Sequence, residues 1–265
     1  MPGGVGATTE PAGPAGDRTA APNPFFAEHA HAYATSAAHA AGWDLARLVA
    51  LVTAHGGRRA VDVGTGTGHT ALALARRGVH AIGVDPTPAM LSEAEALAAS
   101  AGLGHLVQWV RGTAESLPLP SASADIVTCR RAAHHFRDIG QALVEMARVL
   151  RPGGVAGISD LCPEAALGPV ADRFERLRDP THVRMLSETD WREGLEAAGL
   201  QVRHLEVRDE TVPFAEWLRP LAAEGPQALA LQAALAGLDG QVRSGLTGGR
   251  EQGWRKRRAL VLAMR

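Results

Sequence analysis

Apolar and polar positions along this chain follow two periods in turn, and the switching between them lays out most of its elements. Short continuous apolar runs at AVDV (60–63), HAIGV (80–84), LVQWV (106–110), DIVTC (125–129) and VAGIS (155–159) predict buried strands. Between them the period changes. HTALALARRG (69–78) predicts a helix closed by Gly78, and TPAMLSEAEALAASAG (87–102) predicts a second. DIGQALVEMARVL (138–150) places Ile139, Leu143, Met146 and Leu150 on one face, with Asp138 as N-cap and RPGG as the stop. Strands alternating with helices at this spacing predict βαβ units and a parallel sheet covered on both faces.

The flanks read differently. Phe25 to Leu51 is helical in pattern, broken near Gly42, with Leu45, Leu48, Val49 and Val52 forming an apolar stripe. After residue 162, PEAALGPVADRFERLRD and SETDWREGLEAAG predict two helices, the second capped by Ser187 and Gly199. LQVRHLEVR alternates like a strand, ALVLAM (259–264) predicts a last strand, and residues 214–240 predict a helical insert between them. The organisation expected is a disordered tail (1–23), a helical lid (24–56), a ligand-binding core (57–162), and a substrate lobe with the last strands (163–265). The Gly, Ala, Pro and Thr bias of the first 23 residues suggests the tail, and it has neither the basic start nor the apolar block of a signal peptide.

Composition narrows the function. The chain has 265 residues, 46% of them apolar, and a formal net charge of −1, without the basic excess of a nucleic-acid binder. No apolar stretch approaches the roughly 20 residues of a membrane span. Cys129 and Cys162 are too few for a disulfide framework, so the expected setting is cytoplasmic. Lys256 is the only lysine, in the basic run GWRKRR (253–258), which reads as a solvated feature before the last strand.

The chemistry concentrates in VDVGTGTGHT (61–70). Gly64, Gly66 and Gly68 follow the first strand and open the first helix, where ligands bind in open α/β sheets. A dinucleotide fingerprint would place its third glycine at His69; here it comes one residue early. Asp85, ending the second strand, suits a ribose because a carboxylate accepts from two hydroxyls.

VDVGTGTG, GVDPTPAML, GTAESLPLPSASADIVTC and ARVLRPGG, in this order, resemble the motifs of class I S-adenosylmethionine-dependent methyltransferases. The type most similar acts on small molecules and includes the ubiquinone/menaquinone C-methyltransferases; SAAHAAGWDL and RLRDPTHVR further resemble a bacterial subgroup. The resemblance implies a Rossmann-like, doubly wound, mostly parallel seven-stranded sheet with its last strand antiparallel. It implies S-adenosylmethionine as cofactor, S-adenosylhomocysteine as product and a small-molecule methyl acceptor. Asp62 and the backbone at Gly64, Gly66 and Gly68 would hold the methionine part, Asp85 the ribose, and Pro86 and Met90 the adenine. Thr113, Ala114 and Glu115 would meet the adenine edge, with Thr113 standing where relatives usually carry an aspartate. Arg130 is expected on the same cofactor.

His134 and His135, after the fourth strand, are candidate bases, one of the two packing or capping the next helix. No metal site is expected. Tyr33 and His39, candidate substrate residues, are placed on a lid over the cofactor, with an ordinary amphipathic helix pair as the alternative. Arg178, His182 and Arg184 are candidates for an anionic substrate group, with an ion-paired cluster locking the lobe as the alternative. A nicotinamide-dependent oxidoreductase and a catalytically silent cofactor-binding module are the competing functions.

Overall fold

The strands form one seven-stranded sheet, and its order decides where a ligand can sit. The computed structural model describes residues 24–219, 221–222 and 224–265; the expected tail lies outside them. The strands are β1 (Arg59–Val63), β2 (His80–Asp85), β3 (Val107–Arg111), β4 (Ala124–Arg130), β5 (Leu150–Leu161), β6 (Gln201–Pro213) and β7 (Gly253–Met264), in the order β3-β2-β1-β4-β5-β7-β6. β1 to β5 pair in parallel, and β7 runs antiparallel to both of its neighbours. This is the doubly wound, Rossmann-like sheet expected. The order reverses between β1 and β4, so the loops leaving those two strands diverge and open a crevice.

Three helices precede the sheet: α1 (Pro24–Ala34), α2 (Ala37–Ala41) and α3 (Trp43–Thr53). The chain breaks at Gly42 as expected and also at Thr35–Ser36, where Thr35 Oγ1 bonds back to His31 O (3.0 Å) in competition with the helix. α4 (His69–Ala75) follows β1 and α5 (Pro88–Ser100) follows β2. α6 (Ile139–Val149) begins where Asp138 accepts from Gln141 N (2.9 Å). α7 (Gly168–Arg178) starts five residues later than its pattern suggests, with Pro169 in its first turn. α8 (Glu188–Ala197) opens with the Ser187–Asp190 capping box. The insert contains α9 (Phe214–Trp217), α10 (Pro226–Ala236) and α11 (Gly240–Thr247), and so runs beyond residue 240.

The two sheet faces bury separate cores. Leu48, Val52 and Leu74 cover Ile126, Val155 and Leu260 on one face; Leu143, Met146, Trp191 and Leu195 cover Val127, Ile158 and Val261 on the other. Neighbours such as Ile126 and Val127 enter opposite cores because side chains alternate along a strand. A third core, Phe174, Phe214, Trp217, Leu231 and Trp254, belongs to the lobe.

GWRKRR is not a solvated flank. It is the first half of β7, an interior strand, and Trp254 and Arg258 are buried. Trp254 stacks on Trp217 at 4.0 Å, while Arg255 and Arg257 on the opposite pleat pair with Asp209, Glu164 and Glu188. Tertiary partners, absent from any local window, overturn the local charge pattern.

Candidate functional site

The glycine loop leaves β1 and returns its Gly64 and Thr65 amides to Val84 O at 2.9 and 3.0 Å. At Gly68 (φ +81°) a Cβ would stand 2.5 Å from the Trp109 ring, whereas at Gly66 (φ +52°) it would meet nothing within 4 Å. Gly68 therefore serves close packing, and Gly66 presents bare backbone to open space at the mouth of the crevice. Asp62 accepts from Thr65 Oγ1 (2.6 Å) and Thr128 Oγ1 (2.7 Å) and is 1% exposed; burial pushes its carboxyl up to about 6 despite those bonds. It braces the loop against β4.

Asp85 accepts from Gly66 N and Thr87 N, both at 2.9 Å, and burial raises its carboxyl above the usual range. Each oxygen keeps lone pairs for the crevice, beside Pro86 and the buried Met90 of α5. Thr113 is half-buried and its hydroxyl has no hydrogen-bond partner among the described residues. Ala114 points into the core instead. Glu115 Oε1 is held by the amides of Arg137 (2.9 Å) and Asp138 (3.4 Å), which anchors the β3–β4 loop at the start of α6. Bare loop backbone, a ribose-type carboxylate and an open hydroxyl fit a nucleoside cofactor.

Arg130 is engaged by the N-terminal helices, and its charge reaches Asp62. Its Nε and Nη2 bind Asp44 of α3 at 2.8 and 2.9 Å and its Nη1 binds His39 O at 2.9 Å. Arg131, at φ +56°, binds both oxygens of Asp44 as well. Burial pushes the Asp44 carboxyl up, but the two guanidiniums overcome this and hold it well below the usual carboxylate range. This buried trio latches α2 and α3 onto the end of β4.

The two histidines after β4 differ sharply. His134 Nδ1 lies 2.5 Å from Asp160 Oδ1 at the end of β5, and its amide donates to Asp160 Oδ2 at 3.2 Å. Asp160 also accepts from Leu161 N (2.6 Å), and burial of its carboxyl is overcome by the charge and bond of His134 and the charge of Arg258. With Nδ1 committed, Nε2 is the nitrogen left to act. His135 instead sits on Thr181 Oγ1 (2.9 Å) and Thr181 O (3.2 Å), under the Phe26 ring at 5.0 Å. Burial and the charge of His134 push its pKa down to about 3, leaving it neutral.

Helices α1 and α2 pack over this rim. Tyr33 packs on His39 at 5.0 Å and near Phe26 at 6.1 Å; burial, helped by Asp179, pushes its phenol up to about 12. His182 Nε2 is locked on Asp172 Oδ1 of α7 (2.7 Å) with its ring 5.5 Å from that of His134. Arg178 grips Glu175 Oε2 (2.7 and 2.9 Å) and Arg219 O (3.1 Å), while Trp217 Nε1 takes the other Glu175 oxygen. Arg184 is exposed on Asp190 at 2.8 Å. Arg178 and Arg184 thus follow the ion-paired alternative, each occupied by a carboxylate of the lobe. Asp44, Asp160 and Arg258 were missed: an acid one residue past a strand pattern, such as Asp160, was the available signal.

Residues 61–158 match the methyltransferase domain family. Over 199 residues the chain is 37% identical to a methyltransferase of Bacillus subtilis designated YcgJ, covering 73% of this chain and 77% of that protein. The chain belongs to the class I S-adenosylmethionine-dependent methyltransferases. The methyltransferase superposes on the crystal structure of YcgJ with a TM-score of 0.77 at 30% identity, covering 84% of this chain and 97% of the other. A protein from Bacillus halodurans C-125 gives 0.78 at 29%, covering 84% and 99%. The demethylmenaquinone methyltransferase of Deinococcus radiodurans is 40% identical over 127 residues, 47% of this chain and 52% of its own length. The cofactor of this methyltransferase is therefore S-adenosylmethionine, and the nicotinamide reading falls away. No helix among the described residues is long and apolar enough to cross a membrane.

Proposed function

We propose that this enzyme methylates a small organic acceptor in a chamber between the lid (residues 24–56) and the rim of β4 and β5. The observation that carries the reading is the His134–Asp160 pair, whose imidazole lies 4.0 Å from the ring of His135, which in turn meets the Phe26 ring of α1 at 5.0 Å. Aromatic rings of α1 packed on the neighbouring His135 favour a small acceptor. The near-neutral chain, with its net charge of −1, speaks against a nucleic-acid substrate.

Asp85 and the amides around Gly66 would hold the nucleoside, with Pro86, Met90 and Thr113 about the base and Asp62 bracing the loop. When bound, the cofactor supplies a methyl group on a positively charged sulfur and leaves as the neutral thioether S-adenosylhomocysteine. Alignment and exclusion of water can lower such a barrier by roughly 7–11 kcal/mol. His134 Nε2 takes the proton of an O–H or N–H acceptor as that atom bonds to the methyl carbon, and Asp160 stabilises the imidazolium formed. This general-base step is worth about 10²- to 10⁴-fold.

The reading is tested by supplying purified enzyme with methyl-labelled cofactor and a cell extract split by size. Label in the small-molecule fraction supports it. Label confined to nucleic acid or protein sinks it, and cofactor binding without any labelling returns the silent-module alternative.

A further inference from the structure

Among the described residues, Arg258 is a buried guanidinium near the site with no carboxylate partner. It stands in the interior strand β7, opposite Leu161 of β5 and opposite another arginine, Arg208, of β6. It is 9% exposed, its Nη1 is buried without a hydrogen bond, and none of its nitrogens reaches a carboxylate within ion-pair distance among the described residues. Asp44 and Asp160 are the acids whose fields it feels. Both are already committed, Asp44 to Arg130 and Arg131, and Asp160 to His134 and the Leu161 amide. Burial and the Arg131 charge push the Arg258 guanidinium down to about 10. Its field also reaches His39 on the lid.

An unpaired buried charge is among the most destabilising features a fold can carry, and such features persist at functional sites. We propose that Arg258 anchors a carboxylate carried by the methyl acceptor, between the α2–α3 lid and the His134–Asp160 pair. The inference deepens the small-acceptor reading above and rests on it. A planar two-oxygen anion matches the fork of a guanidinium. The cofactor's own carboxylate is the competing ligand, and the S-adenosylhomocysteine arm of the test separates the two. The acceptor is thus a small organic acid, held by its carboxylate while another atom faces His134.

The test uses the full chain with benzoate, benzamide and inorganic phosphate as probes, each with and without S-adenosylhomocysteine. Benzoate well above its Kd is expected to raise the Tm by several degrees, and benzamide, its neutral counterpart, to leave it unchanged. Arg258→Met is expected to abolish the benzoate response, keep the affinity for S-adenosylhomocysteine, and melt no lower than wild type without ligand. Should that variant misfold, Arg258→Gln repeats the arm, and Arg258→Lys should respond weakly. The proposal is overturned if wild type ignores benzoate, if the response survives Arg258→Met, or if phosphate alone gives an Arg258-dependent shift. A weakened S-adenosylhomocysteine affinity in Arg258→Met overturns it too, by giving the guanidinium to the cofactor. Wild type that binds benzoate but not S-adenosylhomocysteine would strike the cofactor reading instead.

Discussion

The Nδ1 nitrogen of His134 lies 2.5 Å from Oδ1 of Asp160, so an acid at the end of β5 aims a base on the loop after β4. Asp160→Asn keeps the shape and removes the charge that selects the tautomer. Turnover on the acceptor is expected to fall on the order of 10²- to 10⁴-fold, with S-adenosylhomocysteine affinity retained. Unchanged turnover would mean that the pair only packs.

Two glycines of one loop should separate binding from stability. Gly66→Ala has room for its methyl and bears only the left-handed backbone cost, about 1 kcal/mol, yet it fills space facing the ligand. Calorimetry should show S-adenosylhomocysteine affinity falling far more than stability. Gly68→Ala must also displace Trp109 and should lose roughly 2–4 kcal/mol in urea melts.

Asp44 holds two arginines in a dry place, so removing it strands both. Asp44→Ala is expected to cost about 3–5 kcal/mol, a Tm loss on the order of 10 °C. Asp44→Leu combined with Arg130→Met and Arg131→Met should recover most of that loss, since neither of the two arginines is then left stranded. A single variant that melts like wild type would show that the lid is not latched through this carboxylate.

Burial, then the charges of Arg131, Arg130, His69 and Arg258, push His39 down to about 3 from 6.5. Between those values only the unfolded chain takes up this proton. The stability His39 contributes is therefore whole above pH 6.5 and is lost as the pH falls toward 3. His39→Asn removes that dependence. Its stability should fall less steeply than that of wild type between about pH 6 and 4, by up to about 1.4 kcal/mol per pH unit. His135, depressed likewise, and Asp62, raised to about 6 and so acting in the opposite sense, are common to both proteins and cancel in the comparison. Urea melts across that range measure the difference.

The sequence by itself determined the doubly wound sheet, because a buried parallel strand must be continuously apolar and a helix between strands must show one apolar face. It also located the glycine loop and Asp85, since backbone that meets a ligand needs residues without side chains in one short window. Ion-pair choice was decided only by the tertiary structure. Arg130, Arg131 and Arg258 look alike in a sequence; one carboxylate, 86 residues before Arg130, takes the first two and leaves the third alone. The same holds for His134 and His135, adjacent in the chain: the end of β5 supplies an acid to one, and the Thr181 segment surrounds the other. Charges act through space over a few ångströms, so partners far apart in the chain set their state, and only the folded sheet brings those partners together.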